Sequence, residues 1–281
     1  MSRSRSRLIA VTRPLGAALV GLFIAVFSAS GPAGAQAPPA GPIQITGATL
    51  LEYDEATGKW RLEGAPVTVT RGQSVVRAAR AQFDERARIV TAEGGVEMTQ
   101  PGLALRADAA ELWLADERIR ARGNVRLTST REGQAATLIA PEVEGLLLTR
   151  RFVASGGVSI TRGEVTVTGR RVEYDDGEQV AVVTGEPEVR YRDGVVTADV
   201  VTAWLGREHV RGEGAVRLRR ADLTGSARRV DVRLREQLAT LSGGARVERG
   251  ADRLDAEEIE VELDRSRATA RGNPRLTITP P

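Results

Sequence analysis

The sequence predicts an all-β protein, an antiparallel roll built from a repeat of about 30 residues, and three observations carry that prediction. Beyond residue 45 no window places apolar residues at i, i+3, i+4 and i+7 over a helical length, whereas apolar and polar residues alternate almost everywhere. Glycines recur with the alternating segments at 64, 94, 123, 156, 185, 212, 243 and 272, with separations of 30, 29, 33, 29, 27, 31 and 29. Tight-turn signals are abundant, while Asn124 and Asn273 are the only asparagines, too few for the ladders common in a parallel β-helix.

Taken in order, the chain opens with an address. Ser and Arg alternate ahead of Arg13-Pro14, an uncharged apolar run follows from Leu15 to Ala29, and Ala33-Gly34-Ala35 matches an A-x-A cleavage site. Residues 1–35 thus read as a secretory signal peptide for the general route, since no paired arginines precede the apolar run. Fifteen apolar residues fall short of the roughly 20 a bilayer span needs, so cleavage before Gln36 is expected; the alternative is a retained inner-membrane anchor. Residues 36–44 form a flexible Pro/Ala-rich segment, and the repeat domain occupies 45–281.

Within that domain Val67-Thr68-Val69, Val96-Glu97-Met98, Val125-Arg126-Leu127, Val158-Ser159-Ile160, Val189-Arg190-Tyr191 and Val216-Arg217-Leu218 each set two apolar side chains on one face of a half-buried strand. Each unit is expected to start with a glycine-led turn and a strand, then a second strand near an Ala-Asp pair, then one or two short strands. Asp54 to Gly58, Asp175-Asp176-Gly177 and Arg192-Asp193-Gly194 supply turns. With no second composition and no linker, the reading is one elongated domain in which two sheets fold over each other.

Composition removes most chemistry. The net charge of +3 comes from 40 basic and 37 acidic residues, but Arg3, Arg5, Arg7 and Arg13 belong to the leader; without them 36 basic groups face 37 acidic ones, a net charge of −1. A near-neutral remainder gives no reason to bind nucleic acid. There is no cysteine, and His209 is the sole histidine, so thiolate chemistry and two-histidine metal sites are excluded. His209 reads as a strand-end residue, for no G-x-S-x-G element accompanies it. Asp175-Asp176 and Glu257-Glu258 are adjacent on strands and face opposite sides, so neither is a catalytic dyad. No enzyme, metal or cofactor is implied.

Gly94-Gly95-Val96-Glu97-Met98, Gly123-Asn124-Val125-Arg126-Leu127 and Gly156-Gly157-Val158-Ser159-Ile160 share a G-[GN]-V-x-[LIM] element, and Ala107-Asp108 and Ala198-Asp199 recur on the strands between. In these residues, over roughly 45–279, the chain resembles the OstA-like (LptA) family of periplasmic lipopolysaccharide-transport bridge proteins. The resemblance implies a semi-open, elongated β-jellyroll without catalytic groups. Its apolar groove would carry lipopolysaccharide or a similar envelope lipid through the periplasm to the outer membrane. The expected liners are Val96, Met98, Val125, Leu127, Val158, Ile160, Val189, Tyr191, Val216 and Leu218, with Leu112, Leu114, Val172 and Tyr174 as the opposing wall.

The same alternation also fits a filled core, which would make the protein a secreted envelope scaffold or adhesin; a carbohydrate-active β-helix enzyme is the third reading. Trp113 and Trp204 recur in comparable places and read as packing residues or sheet-surface cover. The pairs Arg150-Arg151, Arg170-Arg171, Arg219-Arg220 and Arg228-Arg229 either contact lipid phosphates or form solvated strand faces. The first rung (Ile43 to Tyr53) and the last (Arg275 to Thr279), with Pro66 and Pro274 beside them, are candidate open edges. They would pair with inner- and outer-membrane proteins of the same fold or, head to tail, with further copies of this chain.

Overall fold

Each alternating segment runs straight through its glycines. The structure, a computed structural model, describes residues 44–131, 134–146, 149, 151–175, 177–262 and 267–279; the expected leader, residues 36–43 and Pro280-Pro281 lie outside the described residues, while Gln44, expected to end the Pro/Ala-rich segment, starts the first strand. The first nine strands are β1 (Gln44–Asp54), β2 (Lys59–Arg71), β3 (Ser74–Asp84), β4 (Ile89–Gln100), β5 (Leu103–Trp113), β6 (Arg118–Arg131), β7 (Gln134–Leu146), β8 (Arg151–Arg162) and β9 (Val165–Asp175). There follow β10 (Val180–Thr184), β11 (Glu188–Tyr191), β12 (Gly194–Thr197), β13 (Val200–Trp204), β14 (His209–Arg220), β15 (Leu223–Arg233), β16 (Leu238–Arg249), β17 (Asp252–Glu262), β18 (Arg267–Arg271) and β19 (Arg275–Thr277). One 3-10 turn, Leu205–Arg207, is the only helical element among the described residues.

Every neighbouring pair is antiparallel, and most ladders shift register once near the middle, as between Glu93 and Val96, Arg106 and Ala109, or Ser242 and Ala245. The shift is a β-bulge, which bends the strand and leaves one residue unpaired. Stacked bulges form a crease that folds a single continuous sheet into two facing arms, where the sequence suggested two sheets. In three places the bend interrupts the strand outright, so β10 with β11, β13 with β12, and β18 with β19 are each one bent strand. Counted this way the described residues form sixteen bent strands in eight hairpins.

The recurrent glycines therefore sit in the crease and do not lead turns. On β4 through β19 the crease glycines are Gly94, Gly123, Gly156, Gly185, Gly214, Gly243 and Gly272, all at positive φ. Gly214 replaces Gly212 in this series, and the spacing becomes 29 throughout except for 33 between Gly123 and Gly156. Each faces the residue after a small Ala or Gly on the preceding strand. A Cβ on Gly94 would come 2.6 Å from that of Ala79, and one on Gly243 would come 2.9 Å from Arg228. Glycine is required there for both its φ and its missing Cβ.

Turns at the two ends of each strand differ. One arm ends in four-residue loops closed by a residue at positive φ, such as Gly58, Arg88 and Gln179. Asp54 caps the first of them, accepting from the N–H of Ala56 (2.9 Å) and the hydroxyl of Thr57 (2.7 Å); Asp84 accepts from Ala87 N–H (2.8 Å) and Asp175 from Glu178 N–H (3.0 Å). The other arm ends in two-residue loops, for example Gly163-Glu164 and Arg192-Asp193. We call these the long-turn arm and the tight-turn arm.

Candidate functional site: the apolar interior

Because strand residues alternate faces, every second side chain points between the arms and lines up with its registered neighbours. On the tight-turn arm, on the side away from the crease, the rows join without a break. Ile45, Val69, Val76, Met98, Leu105, Leu127, Leu138, Ile160, Val167, Val189, Val196, Leu218, Gly225, Val247, Leu254 and Leu276 are each the registered partner of the next. The facing row on the long-turn arm runs from Tyr53 and Trp60 through Phe83, Val90, Leu112, Ile119, Phe152 and Tyr174 to Ala181, Ala203, Val210, Val232, Ala239 and Val261. Among the described residues no charged residue is buried.

Nearest the crease the expected liners are sealed by protein alone. Val96, Val125, Val158, Val172 and Val216 are all within the core, at 3% exposure or less. Farther out Met98 and Leu112 stay buried, whereas Leu127, Ile160, Tyr174 and Val189 are half-buried against the core. Tyr191 and Leu218 are half-buried and stand outside the contiguous core. Leu114 is buried just beyond the end of β5, where its N–H donates to Arg88 O (2.9 Å). Leu112, Val172 and Tyr174 lie on the arm opposite the other liners, and the register brings all of them to one interior. Near its crease side, between β2 and β4, the interior holds a cavity of about 20 Å³ lined by Leu62, Val67, Val76 and Val90 among others, room for about one water.

Sequence reasoning missed the facing row, above all Phe83, Val90 and Ile119; the alternation Ala81-x-Phe83 and Val90-x-Ala92 carried that signal. The role of the Ala-Asp pairs also emerges only in the crease. Asp108 accepts from Asn124 Nδ2 (2.9 Å), and Asp199 accepts from Ala215 N–H (3.1 Å). These acids satisfy polar groups exposed by the bulge on the next strand.

The outer faces are laced by cross-strand ion pairs. Arg120 meets Glu142 and Glu144, Arg122 meets Glu111, and Arg211 meets Asp231 at 2.8 Å. The strongest electrostatic environment is at Asp255: hydrogen bonds from Arg253 and Arg246 lower its pKa from 3.8 to about 2. Loop hydrogen bonds likewise lower the pKa of Asp54, with Thr57 as the main donor, of Asp84, with Ala87, and of Asp175, with Glu178.

Trp113 and Trp204 point outward, under the guanidinium of Arg118 at 4.1 Å and against the His209 ring at 4.9 Å. His209 and Arg211 both bond to Asp231, which makes the lone histidine part of a surface ion-pair group. Of the arginine pairs, Arg151, Arg170, Arg171 and Arg229 are held by Asp175, Glu186, Glu173 and Glu213. Arg228 abuts the crease at Gly243, and Arg150 lies outside the described residues. Only Arg220 follows the inward face of its strand.

Fold and interior together define the class: a creased β-roll whose inward rows are apolar from one end to the other. The model of the family described as LptA/(LptD N-terminal domain) LPS transport protein matches residues 75–209 and, in a second placement, 148–267. The chain belongs to that family, and the overlapping placements restate its internal repeat. Among solved structures the chain is similar to LptH from Pseudomonas aeruginosa, described as the LptA homologous periplasmic component of the conserved lipopolysaccharide transport device. The likeness has 18% identity and a TM-score of 0.40, and covers 41% of this chain and 95% of that one. No curated protein matches. Among the described residues no helix is long and apolar enough to cross a membrane, and no cluster of three acidic or histidine residues is placed to hold a metal.

Proposed function

We propose that this protein is a periplasmic bridge that carries the acyl chains of lipopolysaccharide, or of a similar envelope lipid, toward the outer membrane without chemistry. The observation that supports it best is the apolar row from Ile45 to Leu276, which connects one end of the roll to the other. Lipid tails moving between membranes must be kept from water, and an unbroken apolar path does so without a charged step. Native mass spectrometry of protein purified from its own envelope tests the reading: bound lipid in the spectrum is expected. A lipid-free protein that still adheres to the envelope would return the filled scaffold or adhesin reading.

The ends suit pairing with like-folded partners. Leu51 on β1 is 59% exposed, and Leu276 and Ile278 at the other end are 64% and 65% exposed, although all three belong to inward or terminal positions of the roll. Sixteen is an even number of bent strands, so β1 of a second copy placed after β19 continues the antiparallel order with its crease aligned. The proposed partners are accordingly same-fold proteins of the inner and outer membranes, or further copies head to tail. Sedimentation that stays strictly monomeric at high concentration, together with partner binding unaffected by deleting β1 or β18–β19, would sink that part. Residues 1–35 are proposed as the cleaved leader, and N-terminal sequencing of the mature protein from Gln36 would bear it out.

A further inference from the structure

The interior is not the same along its length. In β3 to β6 the outer rows of both arms are shut apart from the half-buried Leu127: Phe83, Val90 and Leu112 on one side and Val76, Met98 and Leu105 on the other are all at 5% exposure or less. From β10 to β17 the long-turn arm carries Ala181, Ala203 and Ala239 where the earlier strands carry phenylalanine and leucine. Opposite them Val189, Val196 and Leu218 are half-buried, as are Val210 and Val232 on the alanines' own arm. Val247 and the alanines Ala181 and Ala239 are covered, which gives the open part a floor.

One row farther out on the tight-turn arm, at the mouth, charge joins this asymmetry. Arg162, Val165, Tyr191, Gly194, Arg220, Leu223 and Arg249 are registered neighbours on the inward-facing parity, so cations recur above the apolar rows. Arg192 adds a guanidinium 4.9 Å over the Tyr191 ring. Arg220 pairs with Asp193 at 2.9 Å and Arg249 with Asp222 at 3.4 Å, both in two-residue turns and both well exposed. Exposed pairs of this kind are weak and exchange readily for a stronger anion.

We propose that the resting seat of the acyl chains is β10–β17, that β3–β6 is packed on itself when no chain is passing along the path, and that Arg162, Arg220 and Arg249 hold the phosphate headgroup of the lipid at the mouth. The proposal rests on the lipid-carrier reading and adds to it a location and a headgroup chemistry. An amphipathic occupant satisfies both features at once, with tails against Val189, Val196 and Leu218 and the phosphate at the arginines one row above. A neutral amphiphile would leave the arginine row unused.

The absence of cysteine allows a clean test on the full chain. Single variants V196C and L218C in the open part, and V76C and L105C in the shut part, carry an environment-sensitive fluorophore and are titrated with monoacyl lysophosphatidate or with monoacylglycerol of the same chain length. The expected result is a blue shift at positions 196 and 218 and none at 76 and 105. Lysophosphatidate should bind at least threefold more tightly than monoacylglycerol, and the triple variant R162Q/R220Q/R249Q should abolish that preference. D193N/D222N, which removes the carboxylate charges paired with Arg220 and Arg249 without touching the core, should strengthen lysophosphatidate binding and leave monoacylglycerol unchanged. A shift of equal size at all four positions, or a headgroup preference indifferent to both sets of variants, overturns the proposal while leaving the carrier reading intact. No binding of either amphiphile at any position overturns both.

Discussion

The segment β3–β6 and the segment β10–β17 obey the same repeat, the same crease and the same alternation, yet the outer rows of one are largely buried and those of the other largely half-buried, a core beside what we propose to be a trough. The difference lies in side-chain volume at one row: Phe83, Leu112 and Ile119 against Ala181, Ala203 and Ala239. Backbone geometry alone therefore does not decide how fully the interior of such a roll is covered. A fold in which each hairpin contacts only its neighbours can change the content of its interior rung by rung without changing its frame.

The sharpest way to break this contrast is to shorten one side chain in each segment. Leu112 is 1% exposed and wedged in the shut part, so Leu112→Ala should cost about 2–5 kcal/mol in urea or thermal unfolding, because the rigid surroundings leave a cavity. Leu218 is half-buried at the mouth, and Leu218→Ala should cost about 1 kcal/mol, the transfer cost of partly exposed methyl groups. Equal losses would mean that the two segments are packed alike.

How much of this contrast the sequence disclosed follows from what alternation reports. The all-β class, the repeat and the inward parity of Val96, Val125, Val158 and Val216 were legible, because period-two patterning is fixed by burial on one face. Which inward residues would be sealed was not: Met98 and Leu127 occupy equivalent places in the motif, and only the facing arm, with Val90 and Leu112 near one and Phe152 and Tyr174 farther along, separates buried from half-buried. The glycines were found by spacing but given the wrong task. A glycine at positive φ is equally at home in a turn and in a bulge, and the deciding fact, the side chain of Ala79 or Asp108 packed against it, comes from another strand. Spacing alone does not separate Gly212 from Gly214 for the same reason, since the two glycines stand two residues apart and only Gly214 lies against Asp199. Of the paired arginines, strand parity singles out Arg220, but its relation to the mouth depends on the fold.

Adding volume probes the same contrast from the other side. Ala121, 2% exposed in the shut segment, has no space to grow, and Ala121→Leu should cost about 1–3 kcal/mol. Ala203→Leu, at a half-buried position of the open segment, should change stability by no more than about 0.5 kcal/mol and instead weaken amphiphile binding. A destabilisation at 203 as large as that at 121 would show that the trough is closed.

The crease should be indifferent to the contrast, and two substitutions measure that. In Gly123→Ala the new Cβ runs into the Asp108 carboxylate at a φ of +74°, whereas in Gly244→Ala, at +78°, nothing lies within 4 Å. The second should cost about 1–2 kcal/mol for the left-handed backbone alone, and the first about 1 kcal/mol more for the displaced carboxylate and its bond to Asn124. Chemical denaturation of the two variants gives the difference directly.

The smallest effect concerns acid. Asp255, on the outer face of β17, has its carboxylate held at about 2 by Arg253 and Arg246, below the ordinary 3.8. A depressed carboxylate pKa contributes stability that is fully present above the unfolded value and is lost as pH falls through the folded one, here between about 4 and 2. Asp255→Asn should therefore be slightly less stable than the parent at pH 6 and converge with it near pH 2. Because Asp84 is the capped acid of β3 and is untouched by this change, hydrogen exchange measured from pH 6 downward should show the difference between the two proteins in β16–β18 and none in β3–β6. A difference spread over both segments would mean that they unfold as one unit, and the contrast between core and trough would then be one of content alone and not of independent stability.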